Sequence, residues 1–107
     1  MQPPPVYRAS DQVANEEFLA ELEAAAERLD LGEEARSHAA DLFLSSLPDE
    51  ERSKRATLAT AVYCGALLAG EQRSQGAVAE AMDVSRLTVQ QRWKEMLETV
   101  GLEAPDW

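Results

Sequence analysis

Residues 73–97, RSQGAVAEAMDVSRLTVQQRWKEML, decide how this chain is read. They predict two short helices joined by a tight turn. Ser74 and Ser85 each stand where a side-chain oxygen can accept from a backbone N–H left over at a helix start. Val78, Ala79 and Met82 share one face of the first helix, and Val84 falls in the turn. Val89, Trp93, Met96 and Val100 continue an apolar stripe at spacings of four, three and four. Arg86, Leu87, Gln90, Gln91 and Lys94 lie off that stripe and are free to meet something outside the fold. This is the pattern of a helix-turn-helix, whose second helix can lie in a DNA major groove.

Upstream lies a segment that is apolar almost all round: Leu58, Ala59, Ala61, Val62, Tyr63, Cys64, Ala66, Leu67 and Leu68. Such a helix is expected at the centre of a domain, with neighbours on every side. Ser53 is its expected cap, Ala69 its far end and Gly70 its stop, while Ala61, Gly65 and Ala66 leave room for close neighbours. Before it, a helix is predicted from Asp11 or Asn15 to Leu29. Phe18, Leu22, Ala25 and Leu29 point inward; Glu16, Glu17, Glu21, Glu23 and Glu27 point outward. Gly32 interrupts. Glu33 and Glu34 suit the positive end of a further helix, which buries Ala35, Ala39, Leu42, Phe43 and Leu47 and ends at Pro48. Residues 49–52 form a charged linker, and Gly101 is the expected left-handed cap of the last helix. The fold class is therefore all-α with five helices. Residues 1–10, with three consecutive prolines, are a flexible or polyproline-like lead. Residues 11–101 are the domain, with the helix-turn-helix at 74–100, and 102–107 are a short tail.

A chain of 107 residues holds one core. Its net charge is −10, and the excess is one-sided: residues 1–51 carry thirteen acidic and three basic groups, residues 52–107 seven of each. Such a chain repels nucleic acid at long range in dilute salt. High ionic strength screens that repulsion to roughly 3 Å at 1 M, so the acidic surface suits a salt-rich, halophilic cytoplasm. The apolar run 58–69 is too short to span a bilayer, and the N-terminus lacks the apolar core of a signal peptide. A cytoplasmic address and no membrane partner are expected. Cys64 is the sole cysteine, which excludes an intramolecular disulfide and a cysteine metal cluster; it is expected to be a small buried hydrophobe. Trp93 and Tyr63 read as core, and His38 as surface. Glu33–Glu34 and Asp49–Glu51 fit helix starts and solvated linkers better than metal sites. With no Ser-His-Asp set, phosphate loop or catalytic carboxylate pair, no catalytic residue, metal or cofactor is expected.

Specific residues carry a resemblance. Leu29-Asp30-Leu31 with Ala35 and Ala39, then Arg52-Ser53 with Ala61-Val62-Tyr63-Cys64, are similar to the second and central helices of the cyclin-like repeat in the transcription factor IIB family. Gly70-Glu71-Gln72-Arg73-Ser74-Gln75, Val78-Ala79-Glu80 and residues 84–95 (VSRLTVQQRWKE) resemble the close of the archaeal members' second repeat. The resemblance covers roughly residues 15–101 and is most specific in its last third. It implies a five-helix cyclin-like domain and a stand-alone single-repeat relative, without the family's zinc ribbon, linker and other repeat.

In the family, an apolar residue and an arginine early in the recognition helix read a promoter element beside the TATA box. Leu87 holds the apolar position here, and Gln90 stands where the arginine would. Arginine forks onto guanine whereas glutamine suits adenine, so the base reading is expected to differ. The resemblance places Arg86, Leu87, Gln90 and Gln91 nearest the bases of double-stranded DNA, and Arg73, Ser74, Gln75, Ser85, Thr88, Arg92 and Lys94 nearest phosphates. For Ser74 and Thr88 the competing reading is local capping; for Arg92 it is pairing with Glu95 or Glu98. One small domain gives modest affinity, so a partner is expected: a second copy in a homodimer, the TATA-binding protein or another transcription component. The alternative is a cyclin-like protein-interaction module that binds or sequesters initiation components without reading DNA, which the charge of −10 and the replaced arginine favour.

Overall fold

A computed structural model describes residues 15–48, 50 and 53–101. Five helices follow in order: α1 (Glu16–Arg28), α2 (Glu33–Ser45), α3 (Lys54–Leu68), α4 (Gln75–Met82) and α5 (Arg86–Thr99). The all-α class and the helix count agree with the reading above. The proline lead, a helix start at Asp11, the tail 102–107 and linker residues 49, 51 and 52 lie outside the described residues.

α3 occupies the centre, and each of the other four helices packs against it. Every residue from 57 to 66 is buried, as an all-round apolar helix requires. Two of these residues are threonines, and both hydroxyls turn back on the helix. Thr57 Oγ1 donates to the Ser53 carbonyl at 2.9 Å and Thr60 Oγ1 to the Ala56 carbonyl at 2.8 Å, so neither is buried unpaired. Tyr63 and Trp93 meet edge to face, ring centroids 5.5 Å apart, and both are core residues. His38 is partly exposed and lies 3.6 Å from Glu34 one turn earlier.

Two helix ends differ from expectation. α2 stops at Ser45, before Leu47, because Ser46 already leaves helical geometry (φ −119°, ψ 20°) on the approach to Pro48. Ser53 does not cap α3 with its side chain: its backbone is itself helical (φ −82°, ψ −11°), outside the extended geometry an N-cap needs. Gly32 begins α2, and its N–H donates to the Glu71 carboxylate at 3.1 and 3.3 Å. A negative charge from the loop after α3 thus sits at the positive end of α2.

Left-handed residues close four of the five helices. Gly70 (φ 73°) and Gly101 (φ 82°) do so as expected, and Asp30 (φ 55°) and Asp83 (φ 57°) do so at the ends of α1 and α4. Behind Asp30, Leu31 N donates to the Ala26 carbonyl and Asp30 N to the Glu27 carbonyl. Val84 and Asp83 repeat the pattern onto Ala79 and Glu80. These paired bonds satisfy carbonyls that a helix end otherwise leaves open.

Cys64 is fully buried in α3, and its thiol donates to the Trp93 carbonyl at 3.4 Å. Burial pushes its pKa from 9.0 up to about 12, because the thiolate would lose its solvation. The raised folded pKa makes the contribution to stability full below about pH 9 and progressively lost as pH climbs toward 12. A thiol-reactive chromogenic disulfide at pH 8 is therefore expected to label Cys64 only after denaturant is added. Labelling of the native protein at the denatured rate would contradict the burial.

Candidate nucleic-acid interface

α4 and α5 form the helix-turn-helix read from the sequence, joined through Asp83, Val84 and Ser85. Both serine caps are in place: Ser74 Oγ accepts from Ala77 N at 3.0 Å, and Ser85 Oγ accepts from Thr88 N at 3.3 Å. Thr88 Oγ1 also lies 2.9 Å from Ser85 Oγ. The two hydroxyls are therefore hydrogen-bonded to each other at the start of α5, and the cap itself is supplied by Ser85.

The stripe of α5 seats it on the core, with Val89, Trp93, Met96 and Leu97 buried. Outside, Arg86, Leu87, Gln90, Gln91, Arg92 and Lys94 are exposed. Leu87, at 55 % exposure, is the more open of the two large apolar side chains exposed among the described residues. The exposed residues fall on two flanks. Arg86, Gln90 and Lys94 line an open cleft of about 640 Å³ whose opposite wall includes Gln72, Ser74, Gln75 and Gly76, with Tyr63 and Trp93 at its base. Arg92 and Thr88 point to the other flank, where Arg92 borders a groove shared with Ser46, Leu47, Thr57 and Thr60. Among the described residues Arg92 makes no ion pair with Glu95 or Glu98. Lys94 lays its ammonium 5.5 Å from the centre of the Trp93 ring, a contact that steadies a long side chain.

Charge along α5 is polar. Residues 86–94 contain three cations and no acid, whereas Glu95 and Glu98 follow in the last turns. Arg86 stands in the first turn of α5, and Arg92 and Lys94 lie near its middle. The exposed acids of the N-terminal half, including Glu16, Glu17, Glu23, Glu27, Glu33 and Glu34, belong to α1 and α2.

Arg73 is the predicted contact that the geometry places elsewhere. Its guanidinium donates to the carbonyls of Leu29 at 2.8 Å, Asp30 at 3.0 Å, Glu71 at 2.8 Å and Gln72 at 3.3 Å. It fastens the end of α1 to the loop leading into α4, and its donors point inward.

Sequence reasoning missed the bracing behind the turn. Arg28 donates to the Ala81 carbonyl at 3.0 Å; Arg55 donates to the Met82 carbonyl at 3.3 Å and pairs with Glu21 at 2.8 Å. Two arginines from α1 and α3 thereby neutralise the negative end of α4 and fix where α5 begins. The local signal was a basic residue near a helix end; the carbonyls it serves lie 53 and 27 positions away. Gln72 was missed as well. Its carboxamide donates to the Tyr63 hydroxyl at 3.3 Å in the cleft wall.

The family model described as "Transcription factor TFIIB repeat" matches residues 12–99. The chain is 34 % identical over 83 residues to a transcription initiation factor IIB of Pyrococcus abyssi, covering 75 % of this chain and 28 % of that relative. It is 33 % identical over 78 residues to one of Methanosphaerula palustris, covering 70 % and 23 %. Over a shorter stretch of 47 residues it is 45 % identical to transcription initiation factor IIB 2 of Thermococcus kodakarensis, covering 44 % and 15 %. The match spans less than a third of the length of each of these relatives. No helix among the described residues is long and apolar enough to cross a membrane.

Proposed function

Because this chain belongs to the TFIIB repeat family of non-enzymatic transcription factors, we propose that it is a small DNA-binding transcription regulator that reads double-stranded DNA through α5. The observation that carries this reading is the outer face of α5: three cations and no acid over residues 86–94, with Leu87, Gln90 and Gln91 presented to solvent. Arg86, Leu87, Gln90 and Gln91 lie nearest the bases. Ser74, Gln75, Ser85, Thr88, Arg92 and Lys94 lie nearest phosphates, and Arg73 is left out because its donors are spent on carbonyls.

Three cations on α5 release few counterions, and the acidic α1–α2 half opposes approach to DNA. Affinity from this one domain is modest. A partner supplies the rest: the TATA-binding protein, another initiation component or a second copy. Work in a salt-rich cytoplasm accords with the charge of −10.

Arg86→Ala with Gln90→Ala is expected to weaken binding to promoter duplex about 10- to 100-fold across a salt series, with unchanged melting, since each good base contact is worth roughly 1–3 kcal/mol. Equal gel shifts for wild type and double variant would end this reading. A second reading, a module that sequesters initiation components without touching DNA, draws on the exposed acids of α1 and α2. It gains the lead if a protein partner survives both nuclease treatment and the loss of Arg86.

A further inference from the structure

We propose that the cleft between α4 and α5 binds a small molecule carrying linked phosphate groups, of nucleotide size, and that its occupation displaces DNA from α5. The displacement rests on the reading of α5 proposed above; the binding does not.

The charge of the cleft sets it apart from the rest of the molecule. Arg86 and Lys94 line it, and among the described residues no Asp or Glu does. Three other clefts each carry a carboxylate: Glu95 in one, Glu23 and Glu33 in the next, Glu21 and Asp83 in the third. In a chain of net charge −10, a concave surface bearing only cations is a local inversion of sign. A cleft lined by one sign of charge focuses its field and concentrates ions of the other. Its volume of about 640 Å³ suits a small molecule, since pockets that enclose one measure roughly 300–1,000 Å³.

The base of the cleft adds a buried donor. Tyr63 lies there, 2 % exposed. Its hydroxyl oxygen accepts from Gln72 Nε2 at 3.3 Å, and among the described residues nothing accepts its proton. A buried tyrosine O–H ordinarily has an acceptor, and a ligand oxygen in the cleft supplies one. Arg86 likewise makes no ion pair among the described residues. Its Cδ would lie 3.8 Å from a Cβ on Gly76, so its stem runs beside a position that puts no side chain in the way.

These groups call for acceptors and negative charge. Guanidinium and ammonium only donate. A phosphate group brings three acceptor oxygens and a charge approaching −2, and a guanidinium grips two oxygens in parallel. Arg86 and Lys94 are two turns apart, about 12 Å along the helix axis, with Gln90 between them on the same flank. One orthophosphate meets one of these cations; linked phosphates reach toward both. Bound there, the ligand covers Arg86, Gln90 and Lys94, and a duplex cannot use them at the same time.

Titration calorimetry on the full chain at fixed ionic strength tests the binding, with tripolyphosphate and ATP as probes and orthophosphate and adenosine as comparisons. Both polyphosphates are expected to bind about tenfold or more tighter than orthophosphate, which engages one cation instead of two, and adenosine should give no heat. Tyr63→Phe keeps the ring and removes the hydroxyl. It should weaken tripolyphosphate about tenfold, as the loss of a hydrogen bond to a charged group does. Its duplex affinity should stay within about twofold of wild type, because a group this deep does not reach DNA. Arg86→Lys keeps the charge on an exposed side chain and leaves folding alone. It should weaken tripolyphosphate roughly 5- to 10-fold, because an ammonium cannot grip two oxygens at once. In gel shifts at constant ionic strength, tripolyphosphate should release promoter duplex from wild type and need about tenfold more to release it from Tyr63→Phe. No binding of either polyphosphate, or equal binding by wild type and both variants, would overturn the site and leave duplex binding through α5 standing. A duplex that stays bound at saturating ligand would overturn the displacement. Ligand binding by a chain that shifts no duplex at any salt concentration would uphold the site and overturn both the displacement and the DNA reading.

Discussion

Gly65→Ala lowers the unfolding free energy by about 2–3 kcal/mol or more, and Gly65→Val leaves no cooperative unfolding transition. Alanine normally gains roughly 0.5–1 kcal/mol over glycine inside a helix, so the sign depends on space. At Gly65 there is none. A Cβ would lie 2.6 Å from Ala39 N, 2.8 Å from the Ala35 carbonyl oxygen and 2.9 Å from Ala39 Cα. All three are backbone atoms of α2, and no rotamer change clears them. The two helices would have to separate, opening contacts along the most heavily packed interface of a domain whose whole stability is of order 5–15 kcal/mol. Gly76→Ala is the control. Its Cβ meets only the Arg86 stem at 3.8 Å, and there the ordinary helix preference raises stability by about 0.5–1 kcal/mol. Urea titration followed by circular dichroism reads both. Equal stability for Gly65→Ala and wild type would show that α2 does not cross α3 at this glycine.

The contrast between the two glycines marks how far a one-dimensional reading reaches. That α3 is central was legible, because apolar residues on all sides leave no face for water. That small residues at 61, 65 and 66 admit close neighbours was legible as well; which of them touches backbone was not, since the answer depends on the crossing point with α2. The outward set on α5 was legible for a similar reason. Val89, Trp93 and Met96 fix the buried side of the helix, and Arg86, Leu87, Gln90 and Gln91 fall outside it by geometry alone. Helix ends were less visible. Gly70 and Gly101 announce left-handed geometry because glycine adopts it at no steric cost. Asp30 and Asp83 adopt it too, yet an aspartate there looks like any other polar surface residue. Ser53 shows the converse: a serine before a helix fits a cap, but its backbone angle was already committed to the helix.

Arg73→Ala is expected to cost about 2–4 kcal/mol of stability while leaving any DNA affinity of the folded protein within about twofold. Hydrogen bonds from a charged group are worth roughly 1.5–3 kcal/mol each, and solvent at this half-buried side chain trims the sum. The expected loss is mechanical. Without the guanidinium, the Leu29 and Asp30 carbonyls at the end of α1 lose their donor, and the loop from Glu71 to the start of α4 loses its tie to α1. Arg73→Lys retains the charge but recovers less than half of the stability, because one ammonium cannot reproduce a planar fork that reaches both segments at once. The local sequence is compatible with either role, as a cation just before the Ser74 cap suits a phosphate as well as a carbonyl. What separates them is 43 and 44 positions away in the chain, where the acceptors are. Thermal melting and duplex binding, measured on both variants well below their midpoints, give opposite signatures for the two roles. A variant that melts like wild type and loses tenfold or more in duplex affinity would return Arg73 to the phosphates. A variant that melts early and binds normally makes it the clasp that holds α1 against the base of the helix-turn-helix.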